Sequence, residues 1–405
     1  MLYRKILTKA FSNLTFSHRS SSCCKLSRSF SDKFTSDNND LPEDSKAAEV
    51  SKLLEDATTF SDANDPNWAK NPYPDTAPVN LQKEPEAPKV LPNDNSIILF
   101  PGQGTLKVGR IKAYLRFPRV KEMYAIANEI LKYDLKKLSL EGPQKELNKT
   151  EFNQAATVVA SLAALENLIE DRPNVLDNCR AVAGYSVGEF TALIFSGAID
   201  YESGIRLVQH RALAMANAAE RSKQGMMYVY TKAGSNIFQA CKDAESWARD
   251  LGISEPVCRI AIYLHTQGKV IGGNDEALNF LMENSSKLGL KNVKRIPVSG
   301  AFHTPLMEPA IKRFKPTLFN TIIEKPRITV YSNCNAEYYR EPETIRRHLI
   351  KHLVQPVKWE QIIHKIYGRS PGSTFPRTFD VGSDGTLKNT LKLINSKAWD
   401  WCYSV

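Results

Sequence analysis

Residues 181–195 read AVAGYSVGEFTALIF, and the fold follows from that stretch. Ala181–Tyr185 is a short apolar run of strand character, and a helical pattern follows at once through Ser196. Gly184-Tyr185-Ser186-Val187-Gly188 therefore fits G-x-S-x-G at a strand-to-helix elbow. A serine on so tight a turn is pushed out of the sheet, and the flanking glycines let neighbouring backbone approach it. Its Oγ also lies at the positive end of the following helix, where developing negative charge is favoured. The plain alternative is a Gly-Ser turn without chemistry; a strand on one side and a helix on the other favour the elbow.

Working outward, helices and strands alternate. SIILF at 96–100 is the first strand of the folded body, residues 118–139 and 154–170 have helical spacing, and helix 201–220 places Ile205, Val208, Ala212 and Met215 on one face. Strands are expected near 329–332 and 378–381, with helices over 342–353, 359–367 and 386–395. This alternation predicts an α/β fold around a parallel sheet. The rhythm changes over 225–298, which reads as strand 225–231, helix 235–250, strands 257–264 and 269–273, helix 275–288 and strand 292–298. That βαββαβ order predicts a ferredoxin-like subdomain inserted into the larger domain. Gly272 and Gly273 are expected to turn the chain tightly into the next helix. The core is then 96–224 together with 299–395, followed by a tail at 396–405.

The chain has 405 residues, 42% hydrophobic and 24% charged, with a formal charge of +10. Residues 1–31 hold six basic side chains and no acid, residues 32–95 hold 14 acids and six bases, and the remaining body carries +12. The N-terminus is serine-rich, with basic and apolar residues interleaved, which is the composition of a mitochondrial transit peptide rather than a secretory signal. Residues 32–95 are acidic and proline-rich and read as an arm or linker, with one possible helix near 47–54. No stretch has the roughly 18 apolar residues of a membrane span, so membrane insertion is not expected. The basic body suits polyanionic or acidic partners. It lacks the Lys/Arg runs and stacking aromatics of nucleic-acid modules, so nucleic acid is not among them. Five cysteines beyond Cys23 and Cys24 are scattered without C-x-x-C spacing, so neither a metal site nor a disulfide frame is implied. A monomer is the default expectation.

A serine nucleophile needs a base. His348, His352 and His364 lie in polar helical stretches and read as surface residues, His210 adjoins Arg211 on a helix, and His265 sits in a loop. His303, in PVSGAFHTP just after a strand and stiffened by Pro305, is preferred without excluding the others. FPGQG at 100–104 follows the first strand and would aim a backbone N–H into the cleft at the carboxyl end of the sheet, where ligands of parallel sheets bind. A phosphate-cradling or plain turn is equally open there, although the lysine of a P-loop is absent.

FPGQG, GYSVGEFTAL, LVQHRALAM, PVSGAFHTPLMEPA and HLVQPVKW occur in this order over residues 96–395. The series resembles the malonyl-CoA:acyl carrier protein transacylase family. The resemblance implies an α/β-hydrolase-like core carrying a ferredoxin-like insertion. It also implies Ser186 as nucleophile, His303 as base, and the backbone N–H groups of Gln103 and Val187 as oxyanion donors. Arg211 would grip the malonyl carboxylate, with Gln154 and Phe302 lining the substrate site. The main-chain carbonyl of His352 would orient the base, leaving its side chain free to differ. No cofactor or metal is implied. Malonyl-CoA and the phosphopantetheine of acyl carrier protein are the substrates, in a ping-pong transfer that feeds fatty acid synthesis in the mitochondrial matrix.

Departures from the family pattern are Tyr185 in place of histidine, Ile262 in place of asparagine, Ala155 after Gln154, and Gly382-Ser383-Asp384-Gly385 in place of a G-P-G turn. Ile262 is expected to loosen a loop near the site. The rival readings are a serine esterase or thioesterase, which would normally have an acid between Ser and a C-terminal His, and a non-catalytic scaffold.

Overall fold

The computed structural model describes residues 94–405 apart from Ala233 and Pro371. The expected transit peptide (1–31), nearly all of the acidic arm (32–95), and Cys23 and Cys24 lie outside the described residues.

β1 (Ser96–Phe100) is buried at all five positions, as required of a strand covered by helices on both faces. Each of Ile98, Leu99 and Phe100 is fully buried, worth about 1.5–3 kcal/mol apiece. Helices α1 (Pro118–Leu131), α2 (Leu135–Glu141), α3 (Gln144–Leu147) and α4 (Thr150–Asp171) follow. The single helix expected over 118–139 is in fact two. Lys132 adopts left-handed backbone (φ 64°), and the Asp134 side chain caps α2 by accepting the Lys137 N–H at 2.9 Å. A well-placed N-cap outweighs the continuous apolar spacing there.

β2 (Cys179–Gly184) leads into α5 (Gly188–Phe195), and α6 (Tyr201–Ala219) packs against α4. The inserted unit comprises β3 (Gln224–Thr231), α7 (Ile237–Asp250), β4 (Cys258–Tyr263), β5 (Gly268–Asn274), α8 (Asp275–Glu283) and β6 (Leu290–Ile296). Its sheet runs β4-β5-β3-β6 with every pair antiparallel, the ferredoxin-like order, over a small core that includes Met227, Ile271, Leu278 and Leu281. α8 ends at Glu283, five residues short of the expected boundary. The two glycines expected to make a turn lie inside β5. A Cβ on Gly272 would approach Thr304 Cγ2 to 2.8 Å, so glycine here lets the loop that carries His303 close onto the strand.

The chain returns to the core through α9 (Glu308–Asn320), β7 (Thr329–Tyr331), α10 (Pro342–Lys351), α11 (Trp359–Tyr367), β8 (Arg377–Asp380), α12 (Thr386–Ile394), α13 (Ser396–Trp399) and β9 (Cys402–Ser404). The main sheet has the order β7-β2-β1-β8-β9 and is parallel throughout. Residues 396–405, expected as a tail, instead supply α13 and the edge strand β9, because Ala398 and Cys402 are buried against the core. The fold is thus mixed α/β, a parallel sheet with an antiparallel second sheet. No described helix is long and apolar enough to cross a membrane.

Candidate active site

The carboxyl ends of β1 and β2 bring the site together. Gly184 and Gly188 must be glycine: a Cβ on the first would lie 1.9 Å from the Gly188 carbonyl, and one on the second 2.5 Å from the Phe100 carbonyl oxygen. The chain can therefore double back at Ser186, which takes a positive φ of 53°. Such backbone costs a non-glycine residue about 1–3 kcal/mol and persists only where its surroundings over-determine it. Here the restraint is Asn333, just past β7. Its Oδ1 accepts the Ser186 N–H at 2.8 Å, and its Nδ2 donates to the Gly184 carbonyl at 2.7 Å.

His303 meets Ser186 from the loop after β6, also with positive φ (62°). Ser186 Oγ and His303 Nε2 are 2.8 Å apart, and His303 Nδ1 is 2.7 Å from the His352 carbonyl oxygen. A carbonyl can only accept, so Nδ1 carries the proton and donates it. Nε2 is then left with the lone pair that faces the serine hydroxyl. Burial and the neighbouring Arg211 charge push the imidazole pKa down to about 3, so His303 stays neutral and able to take a proton over the whole physiological range.

Arg211, on α6, is fully buried. Its Nη1 donates to Gln154 Oε1 on α4 at 2.5 Å, and the guanidinium lies 5.4 Å from the Phe190 ring centroid. Nε and Nη2, which form one edge of the fork, are buried with no partner among the described residues. A buried charge with two unmet donors is expensive unless a ligand meets them. Desolvation lowers this pKa only to about 10, so the guanidinium remains charged.

Gln103 lies in the loop after β1. Asn153 on α4 anchors that loop by accepting the Gly104 N–H at 2.8 Å, and Tyr185 N–H donates to Phe100 O at 2.9 Å. Val187 opens α5 beside the serine. Phe302, next to His303, is buried. Tyr185 packs edge-on against Trp359, with ring centroids 5.4 Å apart. Ile262 does not sit in a loosened loop. It is buried and bridged to Val357, whose N–H donates to Ala261 O at 2.9 Å and whose carbonyl accepts the Tyr263 N–H at 2.9 Å.

Several expectations are corrected. His348 and His352 are not surface residues. His348 is buried with Nδ1 3.0 Å from Ser332 Oγ. His352 is fully buried, and its ring stacks on His303 at 4.8 Å. The His352 side chain is therefore packed against the base rather than exposed to solvent. Their spacing with Ile345 and Leu349 (i, i+3, i+4, i+7) is the sequence signal for one buried helix face. Sequence reasoning also missed Asn333, Tyr339 and Glu189. Among these only Glu189 carries a signal, as the lone acid in the apolar helix GEFTALIF.

Residues 97–374 match the acyl transferase domain family. The chain is 46% identical over 321 residues to the mitochondrial malonyl-CoA-acyl carrier protein transacylase of Homo sapiens, covering 78% of this chain and 82% of that one. Among solved structures, the malonyl CoA-acyl carrier protein transacylase of Coxiella burnetii superimposes with a TM-score of 0.69 at 30% identity, over 78% of this chain and 95% of that one. A malonyl-transacylase in complex with its type II PKS acyl-carrier protein superimposes with a TM-score of 0.68 at 27% identity, over 76% and 94%. On this fold, this sequence and this constellation of residues, the chain belongs to the malonyl-CoA-acyl carrier protein transacylase family of acyltransferases.

Proposed function

We propose that this protein moves a malonyl group from malonyl-CoA to the phosphopantetheine thiol of an acyl carrier protein through a malonyl ester on Ser186, in the mitochondrial matrix, for fatty acid synthesis. The observation that carries the reading is the Ser186–His303 pair beside a buried Arg211 that presents one unpaired edge of its guanidinium. His303 Nε2 takes the Ser186 proton as Oγ attacks the thioester carbonyl. The oxyanion is held by the Gln103 and Val187 N–H groups, each such donor being worth roughly 3 kcal/mol where measured. The C–S bond breaks, His303 returns the proton to the departing sulfur, and free coenzyme A leaves. The carrier thiol then gives its proton to His303, attacks the ester, and Ser186 Oγ leaves with that proton.

Arg211 Nε and Nη2 suit a carboxylate bidentately, and Gln154 holds the guanidinium in place. Neutral-ester hydrolysis would leave those donors unmet. The mitochondrial relative supports the compartment. The transacylase–carrier complex and the +12 balance of residues 96–405 support docking of an acidic carrier. A chase of malonyl-CoA with and without holo-carrier tests the acceptor. Malonyl label should appear on the carrier thiol, whereas free malonate as the main product in the carrier's presence would establish a hydrolase.

A further inference from the structure

We propose that Glu189 is a positioning residue for acyl transfer, a buried carboxylate that holds the nucleophile elbow in register through Asn333. This rests on the Ser186–His303 reading above and adds a group that the proton relay itself does not use.

Glu189 lies three residues after the nucleophile, in the first turn of α5, and is fully buried. Oε1 accepts the Tyr339 hydroxyl at 2.5 Å. Oε2 accepts the Asn333 backbone N–H at 3.3 Å and lies 3.3 Å from His352 Nδ1 without a hydrogen bond between them. Asn333, which Oε2 bonds, restrains the nucleophile half of the dyad. Asn333 clamps the backbone on both sides of Ser186 with bonds of 2.8 and 2.7 Å. His352 presents its carbonyl to His303 Nδ1 at 2.7 Å and stacks its ring on the His303 ring. Ser186 and His303 both hold positive-φ backbone, so neither rests in a relaxed conformation that it would keep unaided.

The charge state of this carboxylate is adjustable. Burial pushes its pKa up to about 7, opposed by the Tyr339 and Asn333 hydrogen bonds and by the Arg211 charge. The titratable and charged groups facing it are Arg211 from α6, His352 at the end of α10, Tyr339 and Cys334 beyond β7, and His303 behind His352. Burial holds Cys334 and Tyr339 protonated and His352 and His303 neutral, while Arg211 stays charged. Through the neutral range Glu189 is thus the member of this group that changes charge. Protonation of Oε2 weakens its acceptance of the Asn333 N–H, which loosens the Asn333 clamp on Ser186.

The test is single-turnover malonylation of Ser186 from malonyl-CoA, followed by intact mass across pH 5.5–9, for wild type, Ser186→Ala, Glu189→Gln and Tyr339→Phe. In wild type the rate should fall as pH drops through about 7. Glu189→Gln should react about 10- to 100-fold more slowly at pH 8.5, the scale expected for an ångström of misplacement. It should show an unchanged half-saturating malonyl-CoA concentration and no such limb. Tyr339→Phe removes a donor that favours ionisation, so its limb should move to higher pH. A limb caused by the coenzyme A phosphates would survive unshifted in both variants. Wild-type rate in Glu189→Gln, a loss confined to half-saturation, or an acid limb retained in that variant each overturns the proposal. Should Glu189→Gln fail to fold, an unmoved limb in Tyr339→Phe overturns it. Adduct formation by Ser186→Ala would instead overturn the nucleophile reading, and this inference with it.

Discussion

Replacing Arg211 by alanine separates recognition of a charged acyl group from the chemistry at Ser186. The guanidinium is fully buried, is fixed on one side by a 2.5 Å bond to Gln154 Oε1, and has Nε and Nη2 unpaired on the other. A malonyl carboxylate meeting that edge gains charge-assisted hydrogen bonds, whereas an acetyl methyl leaves them unmade. The difference is roughly 1.5–3 kcal/mol, or about 10- to 150-fold in kcat/KM. Arg211→Ala should therefore slow Ser186 acylation from malonyl-CoA by that factor while leaving acetyl-CoA unchanged or improved. Arg211→Lys should recover only part of the loss, because an ammonium cannot reproduce the planar fork. The assay is acyl-enzyme formation from the two thioesters for the three proteins, side by side. Equal loss on both substrates would mean that Arg211 supports the pocket structurally and reads no carboxylate.

Three further outcomes follow from the same geometry. His303→Ala should lower acyl transfer by about 10²–10⁴-fold, the usual worth of a positioned base, in steady-state transfer assays on a protein shown to be folded. The apparent KM for carrier protein should rise with ionic strength, since exposed charge pairs are screened over roughly 8 Å at physiological salt; a salt-independent KM would exclude electrostatic docking. Stability should also report on Glu189, whose pKa rises from 4.5 unfolded to about 7 folded. The folded state then holds the proton more tightly, so this group's contribution is intact below about pH 4.5 and is lost as pH rises through about 7. Urea unfolding at pH 5 and pH 8 should show Glu189→Gln gaining on wild type by up to about 3 kcal/mol at the higher pH. A pH-independent difference would contradict an ionised buried carboxylate.

What the sequence made legible was local. The elbow at Ser186 could be read because its strand, glycines and helix are contiguous, and the inserted βαββαβ unit because its periodicity changes at both ends. The helix break at Lys132 is not legible in the sequence because apolar spacing continues across it, while the deciding contacts are the Asp134 cap and the Asn128 side chain, which accepts the Leu135 N–H at 2.8 Å. His348 and His352 read as solvated because their helix is rich in charge, although their spacing with Ile345 and Leu349 marks the buried face. Asn333 had no local signal at all. Its bond to Ser186 spans 147 residues of sequence, and only the parallel pairing of β2 with β7 brings the two together. The mixture has a physical cause: strands and helices follow from neighbours in sequence, whereas the groups that restrain a strained elbow come from wherever the sheet order places them.

The most direct measurement is intact mass of the protein after brief exposure to malonyl-CoA without carrier. A single malonyl adduct should form on wild type, vanish in Ser186→Ala, and be discharged when holo-carrier is added, with the malonyl group recovered on the carrier thiol. An adduct that persists in Ser186→Ala, or transfer to carrier by that variant above a few per cent of wild type, would contradict the covalent role of Ser186.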